Sequence, residues 1–440
     1  MHATKADRLA STEILVIGSG AAGSTAAITA ARLGKRVTLV ERYGFLGGIS
    51  TGVLDTFYGF YTPGPVARKV VGGVPDAIVE RLLQTQSAFV RPNTFGAGNG
   101  ITYDPEMLKC VWEDLAIEAN VRLLYHSFYQ DVRMSGNRVT GVVLDGKAGL
   151  KQLDAQVIID ASGDADVAAQ AGARFERAEA GSRAQTLTTT FRVGQVDMAK
   201  AQTTSKQELR QLMHEANDSG AYQLPREDGS IHPTPLSGIM LAIMTRLDGY
   251  DPCDPESLTQ AEIEGRRQAR EYVRFLHDRV PGYERAHLLN FSIQVGIRES
   301  RRIFGDYRLT KTDVLGAKKF VDSIGQCGAP IEDHHRGRDT HWEFLPDGTT
   351  YDIPYRTLLP AGVDGLLVAG RCFSATHDAH ASCRSMAQCM AMGQAAGVAA
   401  AIAVDQNVTP RHIETAALQA KLVELGGILY DDQTSEASWV

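Results

Sequence analysis

A chain of 440 residues is long for a single hydrophobic core and points to two or three domains. Its 43% hydrophobic and 22% charged residues are ordinary for a globular protein. A net charge of −7 argues against nucleic acid as the main partner. Residues 1–13 hold no apolar run of the kind that marks secretion, and no long uninterrupted apolar run suggests a membrane span. The six cysteines are dispersed and form no C-x-x-C pair, so they read as reduced thiols of a cytoplasmic protein.

The first predicted elements are the most informative: EILVIGSGAAGSTAAITAARLGKRVTLVER. Residues 14–17 form an unbroken apolar run, as expected of a parallel strand covered on both faces. Gly18, Gly20 and Gly23 follow as G-x-G-x-x-G, then an alanine-rich helix to about Leu33 and a second strand over 36–40. Glu41 closes that strand. Gly18 permits the tight turn, Gly20 lets the backbone approach a pyrophosphate, and Gly23 lets helix and strand pack closely. The helix N-terminus offers free N–H groups and a positive dipole end to phosphates. Glu41 can accept hydrogen bonds from both ribose hydroxyls and would repel a 2′-phosphate. Strand, helix, strand and acid in register mark a dinucleotide site and leave FAD and NAD both open.

Next, RYGFLGGIST places Gly47 and Gly48, then Ser50 and Thr51, just past the second strand. A glycine pair there could pass a pyrophosphate and carry hydroxyls toward a flavin ring. GAGNG at 96–100 follows no apolar strand and opens no helix, so it reads as a loop. Residues 121–156 read as a parallel strand followed by a three-stranded meander that turns at Gly136 and Asn137. A buried strand over 157–160 ends in Ala161, Ser162 and Gly163, and another over 366–369 ends in Gly370 and Arg371. Small residues at the C-terminal ends of such strands are where an open α/β sheet binds its ligand. With the meander, they favour FAD.

Between these strands, LTTTFRVGQVD reads as an edge strand of a sheet roofing the cofactor. SIQVGIRESRRIFGDYRL brings Arg298, Arg301 and Arg302 together with Glu299. They form either an ion-pair network bracing a domain interface or an anion clamp, which the planar guanidinium suits. The segment CFSATHDAHASCRSMAQCMAMGQAAG, residues 372–397, could be a metal site, a thiol centre or the wall of a cofactor pocket. Zinc needs four tetrahedral ligands with supporting groups, whereas Cys389 falls inside a helix on a face expected to pack against the sheet. No metal is expected. Small residues and methionines over 385–400 predict a tightly packed helix, with Gly393 and Gly397 permitting close contact.

In VIGSGAAGSTAAITAARLGKRVTLVER, IDASGDADVAAQAGA, GIRESRRIFGDYRLT and IPYRTLLP running into LLVAGRCFSATHDAH, the chain resembles the FAD-dependent oxidoreductase family with the glutathione-reductase type of flavin fold. The resemblance covers nearly the whole chain. It implies an α/β protein with a discontinuous Rossmann-like FAD-binding domain and an inserted α+β substrate domain. The dispersed cofactor segments place the FAD domain at 10–70, 100–175 and 355–405, the substrate domain at 176–354, and a C-terminal helical tail at 406–440. Gly18, Gly20, Ala21, Ala22, Gly23, Glu41 and Arg42 would hold the ADP half, and Gly47, Gly48, Ser50 and Thr51 would lie along pyrophosphate and flavin. Tyr129 would offer backbone contacts to adenine, Ala161, Ser162 and Gly163 would flank the ADP moiety, and Gly370 would approach the ribityl chain. Arg371 stands where many flavoproteins have aspartate. The last helix would aim the N–H groups of Ser385, Met386 and Ala387 at the flavin. Covalent attachment through His377, His380 or Cys372 stays open.

There is no second G-x-G-x-x-G, no C-x-x-C beside the flavin and no W-x-W-x-I-P segment. These absences count against a dedicated NAD(P)H domain, a disulfide reductase and a flavin halogenase. The expected function is hydride transfer between a small organic, anionic substrate and flavin N5. His377 or His380 would move the proton, and Arg384, with Arg298, would orient the substrate or stabilise negative charge. A flavin monooxygenase fed by external reduced nicotinamide and an electron-transfer subunit are the alternatives. The lack of cluster-ligating cysteine spacing weakens the second. The expected partners are a small-molecule substrate and an unidentified electron acceptor, with homo-oligomer formation left open.

Overall fold

The computed structural model describes residues 6–64, 66–92, 96, 98–177, 184–334, 340–431 and 439. The apolar run after Thr12 becomes a strand, β1 (Thr12–Ile17), because both of its faces are covered. It leads into α1 (Ala21–Arg32) and β2 (Val37–Val40). Then come β3 (Arg122–Leu124), β4 (Phe128–Ser135), β5 (Arg138–Asp145) and β6 (Lys151–Asp160). Far along the chain follow β7 (Leu366–Val368), α2 (His377–Cys383) and α3 (Met386–Gln406). The parallel sheet runs β3-β2-β1-β6-β7.

One strand serves two sheets. Residues 151–154 of β6 pair antiparallel with β5, which pairs with β4, and from Ala155 the same strand runs parallel between β1 and β7. The third strand of the expected meander and the expected strand at 157–160 are therefore one continuous strand. The burial of β6 changes from intermittent to complete at Val157, which is why the two halves read differently.

Helix α3 packs on α1 backbone to backbone. A Cβ at Gly393 would sit 2.1 Å from the Ala22 carbonyl oxygen, and one at Gly397 2.5 Å from that of Ala26. Among the described residues α3 is the one helix long and apolar enough to cross a membrane, but its apolar surface is buried inside the protein. This packing sets the first core, which also takes in Ile324, Cys327, Ile331, Tyr351 and Ile353.

The second core is therefore narrower than the expected 176–354. It centres on residues 191–291, where a four-stranded antiparallel sheet runs Ser230–Pro233, Met240–Ile243, Phe191–Gly194, His287–Phe291. Phe191–Gly194 is an interior strand, not the expected edge, since it pairs on both sides. The edges go to a strand ending in Pro233 and to the more exposed His287–Phe291, which suit edge positions. In the tail, Thr415–Glu424 buries Leu418 and Leu422 against the first core. Residues 432–438 and 440 of the expected tail lie outside the described residues.

Candidate functional site

A cavity of about 450 Å³ opens where β1, β2, β6 and β7 end, between the parallel sheet and the second domain. At one end the turn after β1 forms a cradle. Gly18 adopts φ +91, and a Cβ there would lie 2.5 Å from the Ala161 carbonyl oxygen. At Gly23 a Cβ would meet the Gly18 oxygen at 1.9 Å, whereas at Gly20 it would meet nothing within 4 Å. Gly18 and Gly23 thus close the turn, and Gly20 leaves space at the first turn of α1. The Glu41 carboxylate accepts from the backbone N–H groups of Ser19 and Tyr43, both at 2.9 Å, which fixes it at the cavity rim. Ala21, Ala22, Arg42, Gly48, Ser50, Tyr129, Ala161, Ser162, Gly163 and Gly370 also face the cavity. Arg371 lines it too and donates to Asp164 Oδ1 at 2.9 Å and Ser300 Oγ at 3.2 Å. An open phosphate-sized cradle at a helix N-terminus, with an acid beside it, fits the ADP half of FAD.

Four expected contacts are corrected. Gly23 is consumed by packing. Gly47 and Thr51 stay within their own loop, where Thr51 Oγ1 donates to the Leu46 carbonyl at 2.7 Å. The Ala387 N–H donates to the Tyr58 carbonyl at 3.3 Å, so of the three residues expected there Ser385 and Met386 face the cavity, and Cys389 joins them from the first turn of α3.

The opposite end is cationic. Arg384 closes α2 immediately before the Ser385 cap of α3, so both of its neighbouring helices fix its backbone. Among the described residues its guanidinium makes one hydrogen bond, from Nη2 to the Glu332 carbonyl at 3.4 Å, and its buried Nε has no partner. Arg298 donates to the Thr186 carbonyl at 2.7 Å. Among the described residues neither guanidinium has a carboxylate within ion-pair distance. Burial, and then the charges of Arg226 and Arg384, push the pKa of Arg298 well below its usual value. Arg226 itself is tied to Asp228 at 2.6 Å. Glu332 shares its carboxylate with His334 Nε2 at 2.9 Å. Burial opposes ionisation of Glu332, but His334, Arg384 and Arg298 hold its carboxyl well below the usual range. Trp342, Ile297 and Met386 supply apolar wall.

The arginine trio read from the sequence therefore divides. Arg302 pairs with Glu299 at 2.6 Å and Arg301 with Asp166 at 2.9 Å, while Arg298 turns to the cavity. The two histidines are placed behind the wall, which does not suit the proton-moving role expected of them. His377 lies between Glu299 (Nδ1, 2.9 Å) and Asp333 (Nε2, 3.2 Å). Burial would lower its pKa, but hydrogen bonds to Asp333 and Glu299 and their charges raise it to about 9. His380 is fully buried, donates from Nε2 to the Arg371 carbonyl at 2.8 Å and stacks on Phe373. Burial pushes its pKa down to about 3, so it is neutral. Among the described residues no three His, Cys, Asp or Glu side chains gather as a metal-ligand group. Asp55, Tyr58, Arg226 and His334 were missed in the sequence; they face or border the cavity from loops and strands that carry no motif.

A family model described as FAD dependent oxidoreductase matches residues 13–422. No curated protein matches the chain. Among solved structures, a geranylgeranyl bacteriochlorophyll reductase-like protein from Thermoplasma acidophilum is similar at 13% identity and TM-score 0.45, over 96% of this chain and 85% of that one. The flavin-dependent brominase Bmp2 is 12% identical at TM-score 0.48, over 94% and 83%. The p-nitrophenol 4-monooxygenase PnpA from Pseudomonas putida DLL-E4 is 12% identical at TM-score 0.45, over 95% and 85%. Likenesses this distant carry nothing about the chemistry of this chain. The family match spans nearly its whole length, and with the cradle, the acid and the cavity in place the chain belongs to the FAD-dependent oxidoreductases.

Proposed function

We propose that this enzyme oxidises or reduces a small organic anion by hydride exchange, with Arg298 and Arg384 holding the substrate against the cofactor. The observation that carries this reading is the pair of guanidiniums on the cavity wall with no carboxylate within ion-pair distance among the described residues. Like charges that repel in a partly desolvated space are relieved by an anion. A planar fork binds a carboxylate through two parallel bonds and so orients it as well as attracting it.

Bound FAD would supply the two-electron partner for the substrate. The turn at Gly18 to Gly20 and Glu41 would hold its ADP half, and Ser385 and Met386 would border the reacting end. Arg384 stands at the start of α3, where the helix end adds its own preference for negative charge. Trp342, Ile297 and Met386 would exclude water from the bound anion and so strengthen its attraction to the arginines.

The test is an anaerobic screen of small carboxylic acids beside their amides, read as flavin bleaching or reoxidation. Acids are expected to react and amides not. Arg384→Ala is expected to retain FAD and react roughly a hundredfold more slowly, the scale of losing one preorganised charge donor. Reaction with the amides alone, or a wild-type rate in Arg384→Ala, would contradict the reading.

A further inference from the structure

Asp55 lies on the cavity wall beyond the loop that carries Ser50, and its side chain is 0% exposed. Its two oxygens are treated differently. Oδ1 accepts from His232 Nε2 at 2.9 Å and from Thr56 Oγ1 at 3.1 Å. Oδ2 is buried and has no hydrogen-bond partner among the described residues. An unpaired carboxylate oxygen out of water is costly, so a fold that retains one points to a partner that arrives with a ligand.

The surroundings leave that oxygen free. His232 comes from the strand Ser230–Pro233 of the second domain, and it is itself buried. It reaches across to hold one oxygen of Asp55 and leaves the other. Two phenols flank the acid, Tyr58 and Tyr103, and both feel its charge. Arg91 donates to the Tyr58 hydroxyl at 2.7 Å, and Arg192 is the other cation near Tyr103; neither pairs with Asp55. Tyr58 also feels Glu332 at the arginine end, and Asp55, Tyr58, Glu332 and the two arginines all line the one cavity. A brace between domains would need only the bond to Oδ1.

We propose that Asp55 is a catalytic residue that takes the proton leaving a substrate hydroxyl or amine, with His232 as its positioning residue. This rests on the preceding reading of Arg298 and Arg384, and it narrows the substrate to an acid that also carries a hydroxyl or amino group. In the oxidising direction the O–H or N–H bond breaks and its proton bonds to Oδ2. The electron pair left behind forms the C=O or C=N bond, and the adjacent C–H hydrogen would leave with its pair as hydride, for which bound FAD would be the two-electron acceptor. In the reducing direction Asp55 returns the proton.

The experiment compares butyrate with 2-, 3- and 4-hydroxybutyrate on the FAD-loaded protein, with affinities read from flavin absorbance. One hydroxy position is expected to bind at least about tenfold more tightly than butyrate, the scale of a hydrogen bond to a charged acceptor. Asp55→Ala is expected to abolish that gain while keeping butyrate affinity within about threefold, and the isosteric Asp55→Asn to keep only a small part of it. His232→Gln, which can still donate to Oδ1, is expected to keep the gain, and His232→Leu to lose it. The proposal is overturned if no isomer gains, or if the gain survives in Asp55→Ala and Asp55→Asn. Arg384→Ala is expected to weaken all four probes together. If it does not, while the gain still depends on Asp55, the arginine reading fails and the Asp55 proposal stands.

Discussion

Replacing His377 with glutamine tests the buried charge network behind the cavity. The imidazole is 11% exposed and its partners Glu299 and Asp333 are 0% exposed, so solvent screens their attraction little. The network raises the pKa of His377 from 6.5 to about 9 and lowers that of Glu299 to about 2, two shifts that agree in sense and size. A displacement from 6.5 to about 9 corresponds to about 3 kcal/mol of stability. Because the folded value lies above the unfolded one, that stability is fully present below pH 6.5 and is lost as pH rises through about 9. The assay is urea unfolding of the FAD-loaded protein from pH 6 to 10, wild type beside His377→Gln. The wild-type advantage is expected to be largest at pH 6 and to shrink by about 3 kcal/mol on passing pH 9. A difference that stays flat across that range would refute the argument.

Three further outcomes follow from the packing. Gly393→Val places a Cβ 2.1 Å from the Ala22 carbonyl, so α3 must move off α1; stability is expected to fall by several kcal/mol, and the flavin-to-protein absorbance ratio with it. Glu41→Ala strips the acceptor from the Ser19 and Tyr43 amides and would take it from the ribose of a bound FAD, so it is expected to weaken FAD binding roughly ten- to a hundredfold by equilibrium dialysis. Cys383 is fully buried, and Cys383→Ser is expected to cost stability but keep FAD, with substoichiometric zinc and iron by elemental analysis in variant and wild type alike.

The parts of the site legible in the sequence are those built from neighbouring residues. Gly18, Gly20 and the acid Glu41 sit within one βαβ unit, so spacing alone places them at the cavity, while Gly23 closes the turn behind them. The close approach of α3 was readable from Gly393 and Gly397 because only small residues allow it. What failed depended on long-range contacts. Residues 151–160 carry two burial patterns because the strand passes from one sheet partner to others, and a linear reading divided it. Thr51 looked like a cofactor hydroxyl, yet the carbonyl of Leu46 in its own loop claims it. His377 and His380 lie beside Arg384 in sequence, but helical geometry turns them toward Glu299, Asp333 and the Arg371 carbonyl while the arginine at the helix end faces the cavity. Asp55 and His232 are 177 residues apart and meet only when the second domain closes over the first.

The most direct test of the anion site is a titration of the FAD-loaded protein with trifluoroacetate, which stays ionised throughout the working pH range, followed by flavin absorbance. Wild type is expected to show a saturable spectral shift, and Arg298→Ala/Arg384→Ala to retain its flavin but bind the probe at least about a hundredfold more weakly. The same saturable shift, at the same affinity, in a flavin-loaded double variant would contradict the account.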